Sequence, residues 1–131
     1  MYLLDTNICI YIINKSPISV INKIKTFNPS QIKLSSISLG ELEYGVSKSK
    51  FRERNRNALI DFVSGFDIID FNDNDAELFG LIRADLEKRG KVIGPYDMQI
   101  AAQALSRDLI FVTNNVDEFN RILNLKIENW I

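Results

Sequence analysis

The sequence predicts an α/β protein of three layers, with helices on both faces of a mostly parallel central sheet. Three observations carry that prediction. Short apolar runs alternate with longer segments of helical period from one end of the chain to the other. Two of the runs, Tyr2-Leu4 and Leu109-Val112, lack the polar alternation of a sheet with one wet face, so they read as strands buried on both sides. The length, 131 residues with 46% hydrophobic and 25% charged, suits one globular domain with one core.

Taken in order, Tyr2-Leu4 is the first strand, and the Asp5-Thr6-Asn7 turn leads into a short helix over Ile8-Ile13. Ser16-Pro17 reads as the start of a second helix, with Ser as cap, Pro in the first turn and Ile18, Ile21 and Ile24 as its stripe; Asn28-Pro29-Ser30 ends it. Ile32-Leu34 is the second strand. Ser38-Leu39-Gly40-Glu41 then opens a helix carrying Leu42 and Val46, and a further helix runs through Leu59, Ile60, Phe62 and Val63. Phe66-Phe71 reads as a third strand, followed by a long helix that starts at Asn72-Asp73, contains Ala76, Phe79, Ile82 and Leu86, and stops at Gly90. Beyond Gly94-Pro95 a helix over roughly Asp97-Ser106 turns Ile100, Ala101, Ala104 and Leu105 inward. Leu109-Val112 is the fourth strand, Thr113-Asn114-Asn115 turns into a short helix through Phe119 and Ile122, and Lys126-Glu128 is a weaker last strand. No linker, repeat or low-complexity stretch divides residues 1–131, so a single domain is expected.

Composition narrows the chemistry. With no histidine and a single cysteine, the chain cannot build an imidazole base, a Ser-His pair or a soft-ligand zinc site. Cys9 lies inside the apolar run Ile8-Ile13 and reads as a small core residue. That run is far shorter than the roughly 18 residues of a membrane span. Acidic Asp5 also stands where a signal peptide would be basic, so a cytoplasmic protein is expected. Net charge is −1 and the pI about 5.5, which argues against bulk electrostatic attraction to nucleic acid. The local exception is Lys48, Lys50, Arg52, Arg54 and Arg56, which reads either as a solvated face or as a phosphate-contacting patch.

What remains is an all-oxygen site. Ligands in open parallel sheets bind beyond the carboxyl ends of strands. Asp5 follows the first strand, Asn115 follows the Leu109-Val112 strand, and Glu41 and Asp97 stand near the starts of helices that leave the same edge. Such a group suits Mg²⁺ or Mn²⁺ and phosphoryl chemistry. Each residue also has a capping interpretation: Asp5 ahead of the first helix, Ser38-x-x-Glu41 as a capping box, Asp97 at a helix dipole, Asn115-x-x-Glu118 as a further cap.

Four motifs, in order, carry a resemblance: Leu3-Leu4-Asp5-Thr6-Asn7; Glu41-Leu42-Glu43-Tyr44-Gly45; Gly94-Pro95-Tyr96-Asp97 with Ile100-Ala101-Ala102; and Val112-Thr113-Asn114-Asn115 with Glu118-Phe119. Together they resemble PIN-domain nucleases, and more narrowly the VapC-type toxins of toxin-antitoxin pairs, down to the terminal Ile127-Glu128-Asn129-Trp130. The resemblance implies a Mg²⁺- or Mn²⁺-dependent endoribonuclease acting on structured RNA, with tRNA as substrate class, that is homodimeric and inhibited by a VapB-type antitoxin. It implies Asp5 and Asp97 as principal metal ligands and Glu41 as third acid. Many members carry Asp where this chain has Asn115, which leaves Asn115 as a neutral ligand, or Asp117 or Glu118 as substitute acids. Arg83 and Lys91 join the basic run as candidate phosphate contacts. Two other readings compete: a non-catalytic interaction module whose acids are caps, and an aspartate-based phosphotransfer domain. The second is disfavoured by Asn7, two residues after Asp5, where phosphatases of that type need a second Asp.

Overall fold

The computed structural model describes residues 1–131. Its centre is a five-stranded sheet in the order β3-β2-β1-β4-β5, every pairing parallel. The strands are β1 (Tyr2–Leu4), β2 (Ile32–Ser35), β3 (Asp67–Ile69), β4 (Ile110–Val112) and β5 (Ile127–Glu128). Seven α-helices cover it: α1 (Thr6–Asn14), α2 (Ile18–Ile24), α3 (Ser36–Lys48), α4 (Arg52–Val63), α5 (Asp73–Lys88), α6 (Pro95–Ser106) and α7 (Val116–Phe119).

Residue alternation divides the core into two layers. Leu3 and Phe111 face one side, where α5, α6 and α7 supply Ile82, Leu86, Met98, Ile100 and Phe119; the Phe111 and Phe119 ring centroids lie 4.6 Å apart. Leu4, Val112, Ile32 and Leu34 face the other, against Ile8, Val20, Leu42, Val46 and Leu59 of α1 to α4. Both layers are needed because the central strands have no wet face, and burying each such side chain is worth about 1.5–3 kcal/mol over leaving it exposed. Tyr2, Phe27 and Trp130 form an aromatic cluster, with Phe27 and Trp130 stacked at 5.3 Å, that fastens the C-terminal segment beside the start of β1.

Three local expectations are corrected. Helix α2 begins at Ile18 with Pro17 in the cap position, so Ser16 does not cap it. Its buried residue is Val20, while Ile18 is exposed. Helix α3 begins two residues earlier than Ser38, capped by the Ser35 hydroxyl, which accepts from the Ile37 amide at 3.0 Å. The Ser38-Glu41 capping box therefore does not exist, and Glu41 stands in the second turn. Strand β3 is only Asp67–Ile69, because Phe66 closes the α4 exit turn and Asp70-Phe71 lead toward the Asn72 cap of α5.

Candidate active site

Strands β1 and β4 are neighbours, with Leu4 opposite Val112. The next residue on each strand is polar, and the register brings the two together. The Asp5 amide donates to the Val112 carbonyl at 2.9 Å, and the Thr113 hydroxyl donates to the Asp5 carboxylate at 2.8 Å. The Asn115 backbone amide in turn donates to the Thr113 oxygen at 3.0 Å, which fixes the hydroxyl's direction. Asp5 occupies the cap position of α1, yet its carboxylate makes no cap bond and is held by the neighbouring strand instead.

From α3, Glu41 reaches the same place and shares a hydrogen bond with Thr6 at 2.8 Å; Thr6 also lies 2.9 Å from the Ser38 hydroxyl. A carboxylate can only accept, so the Thr6 proton goes to Glu41 and Ser38 donates to Thr6. Asp97 comes from the first turn of α6, where no side chain caps the helix. The Asn115 side-chain amide does not cap α7. It donates to Glu118 at 2.8 Å. Of the two substitute acids, Glu118 therefore joins the group through Asn115, while Asp117 is exposed and makes no side-chain bond to it; neither lines the cavity itself.

Asp5, Thr6, Glu41, Asp97 and Asn115 line one cavity of about 920 Å³, with Tyr44, Lys48 and Tyr96 also in its walls. A separate apolar cavity of about 250 Å³ between α1, α3 and α4 contains no titratable side chain and cannot do acid-base or metal chemistry. The carboxylates disturb one another. Burial pushes Asp97 up to about 6, and the charges of Asp5, Glu41 and Glu118 add to that. Burial raises Asp5 as well, opposed by the Thr113 hydroxyl and the Thr6 amide and reinforced by Glu41 and Glu118. The chain's ion pairs all lie elsewhere, so none of these four acids has a cationic partner.

The donor set, carboxylate and amide oxygen without nitrogen or sulfur ligands, fits a hard dication. No three of these acids stand close enough to enclose an ion by themselves. A cation here would keep part of its water shell, which is how Mg²⁺ binds through one or two carboxylates. Cys9 is fully buried and burial pushes its thiol up, so it is packing.

The basic run does not act as a unit. Lys48 lines the carboxylate cavity, with its ammonium 4.9 Å from the centre of the Tyr44 ring. Lys50, Arg52 and Arg54 line a shallow neighbouring hollow with Phe51. Arg56 donates twice to Glu43, at 2.9 Å each, and Arg83 pairs with Glu87, so neither presents a free charge as the sequence suggested. Sequence reasoning missed Thr6, Ser38 and Thr113. The available signal for Thr113 was register: a β1-β4 pairing sets it opposite Asp5.

A parallel sheet of this order, with carboxylates gathered at the end of its central strands, is that of a PIN-type nuclease fold. The chain belongs to the PIN domain family, whose pattern matches residues 2–124. Within it the chain is similar to Ribonuclease VapC2 of Rickettsia felis, at 47% identity covering 99% of this chain and 98% of that protein. It is also similar to the tRNA(fMet)-specific endonuclease VapC of Shigella flexneri, at 43% identity covering 98% and 97%. Among solved structures, VapBC2 from Rickettsia felis bound to a promoter DNA fragment superposes with a TM-score of 0.93 at 46% identity, covering 99% of this chain and 98% of that one. DNA-bound VapBC from Salmonella typhimurium gives 0.94 at 42%, with the same coverage.

Proposed function

We propose that this chain is a Mg²⁺- or Mn²⁺-dependent endoribonuclease toxin that cuts structured RNA, with tRNA as its substrate class, and is neutralised by a VapB-type antitoxin. It would act in the cytoplasm as a homodimer. The observation that carries this reading is the convergence of Asp5, Glu41, Asp97 and Asn115, far apart in sequence, on one cavity where no lysine or arginine forms an ion pair with any of the acids. The names of the VapC relatives and the VapBC complexes support the substrate class and the partner.

Asp5 and Asp97 are the residues that would hold the cation, with Glu41 as third acid and Asn115 as a neutral donor. A bound dication supplies an acidified water and offsets charge on the phosphoryl oxygens. The rest falls to the chain. Thr113 and the Thr6 amide oppose the rise in the Asp5 pKa that burial causes. Thr6 fixes one oxygen of Glu41 and leaves the other free to accept a proton from the attacking water. Attack on a backbone phosphorus opposite the 3′ oxygen breaks the P–O3′ bond. Solvent protonates the leaving oxygen, giving 5′-phosphate and 3′-hydroxyl ends. No histidine is needed.

The test is incubation of the purified protein with total tRNA and Mg²⁺ or Mn²⁺, alongside Asp5→Asn and Asp97→Asn. Cleavage by the parent, abolished by EDTA and by either substitution, is expected. An Asn variant that cuts as well as the parent overturns the ligand assignment.

A further inference from the structure

Two of the four motifs contain a tyrosine to which the chemistry gives no role. Tyr44 lies one helical turn beyond Glu41 on α3, and Tyr96 immediately precedes Asp97 on α6. Both line the carboxylate cavity, yet they are 65% and 58% exposed, a large area of aromatic surface to leave in water. Neither is needed to hold the fold. Tyr11, by contrast, is half-buried and its hydroxyl accepts from the Asn114 amide at 3.2 Å, whereas the phenols of Tyr44 and Tyr96 bond to nothing in the chain. The Tyr44 ring is also coupled to a cation, Lys48, one turn further along the same helix.

We infer that Tyr44 and Tyr96 form a stacking clamp for unpaired bases on either side of the scissile phosphate, with Lys48 contacting the adjoining phosphate. The inference rests on the nuclease reading and deepens it, by stating that the substrate is cut where its bases are unstacked. Carboxylates repel a phosphodiester, so the binding energy must come from groups around them. Flat π-faces accept any base, and stacking holds a strand without reading its sequence. In a duplex the bases are already stacked on one another and cannot reach the rings. Lys48 provides the single positive charge lining the cavity, at a position where it can exchange the Tyr44 ring for a phosphate.

The test uses a synthetic RNA hairpin with an unpaired loop, and a matched hairpin in which the loop nucleotide beside the cut is abasic. Parent, Tyr44→Ala, Tyr44→Phe, Tyr96→Ala and Tyr96→Phe are compared by KM and kcat with Mg²⁺, and by anisotropy of the labelled hairpin in EDTA. Each Ala variant is expected to raise KM by about 5-fold to about 150-fold, the range that stacking one base is worth, with kcat far less affected. Restoring the ring as Phe recovers most of that loss. The abasic hairpin reproduces the defect on the parent, and the matching Ala variant no longer distinguishes the two RNAs. The inference is overturned if Ala leaves KM and binding unchanged, if Phe falls as far as Ala, or if the variants impair only association with an antitoxin. A parent that binds the hairpin in EDTA with the expected Ala defect but never cuts it defeats the nuclease reading and leaves the clamp standing. Circular dichroism confirms that these surface substitutions fold.

Discussion

Asp5 is a carboxylate that burial in the cavity makes harder to ionise, and one hydroxyl works against that burial. The Thr113 bond at 2.8 Å lowers a pKa that burial raises. Thr113→Val keeps the shape and removes the donor, so Asp5 should protonate more readily and orient less well. Loss of about 10- to 100-fold in Mn²⁺ affinity is expected, as for other groups that position ligands, measured by thermal-shift titration. Unchanged affinity would show the bond to be incidental. Asp97 permits a second test, with a definite sign. Its folded pKa is raised from 3.8 to about 6, so the native state binds the proton more tightly than the unfolded chain. That contribution to stability is fully present below pH 3.8 and is lost as pH rises through about 6. In EDTA, the difference in urea midpoint between parent and Asp97→Asn should therefore change across this window, with the parent losing relative stability toward pH 7. A difference that stays flat from pH 4 to pH 7 contradicts the cluster's electrostatics.

At the level of elements, the packing of α5 on α6 depends on a polar knot. Asp75 is fully buried, completes the capping box of α5 by accepting from the Asn72 amide at 2.8 Å, and pairs with Arg107 at 2.8 Å. Asp75→Ala leaves the Asn72 side-chain cap in place but removes the reciprocal half of the box, freeing the Asn72 amide, and strands an arginine whose side chain is still 25% exposed, so some of its charge can be hydrated. A loss of about 2–4 kcal/mol in urea denaturation is expected; a loss under about 0.5 kcal/mol would mean that the network is decorative. The knot shows where a sequence reading stops. Asn72-x-x-Asp75 can be read locally as a cap, but its partner Arg107 lies 32 residues further on and no periodicity announces it. The order of strands and helices was legible because each strand is a short apolar run and each helix shows a repeating stripe. The start of α3 was misplaced because three serines, Ser35, Ser36 and Ser38, compete for one cap, and tertiary pairing of β2 decides in favour of Ser35. The meeting of Asp5, Glu41 and Asp97 at one sheet edge was legible by chemical type and position. Thr6 and Ser38 were not, since a hydroxyl becomes informative only once its neighbour across space is known.

Across the whole molecule, the strand order makes the cavity. The chain builds β2 and β3 on one side of β1 and then crosses to place β4 on the other, so connections leave β1 and β4 in opposite directions and a crevice opens beyond their carboxyl ends. Folding thus gathers Asp5, Glu41, Asp97 and Glu118 from positions spread over most of the sequence, and their mutual repulsion opposes the native state that assembles them. No lysine or arginine pairs with them to relieve it. Removing one charge and adding a dication should therefore act in opposite directions on stability, an outcome that capping carboxylates would not give. In EDTA, Asp5→Asn should be at least as stable as the parent, because the amide still accepts from Thr113 and the buried charge is gone. With Mn²⁺ at about a hundred times its Kd, the parent should gain about 2.7 kcal/mol by mass action while the variant gains much less, so the order of the two urea midpoints reverses. If Asp5→Asn is the weaker of the two in EDTA and gains as much from Mn²⁺ as the parent does, the carboxylate serves the fold and holds no metal.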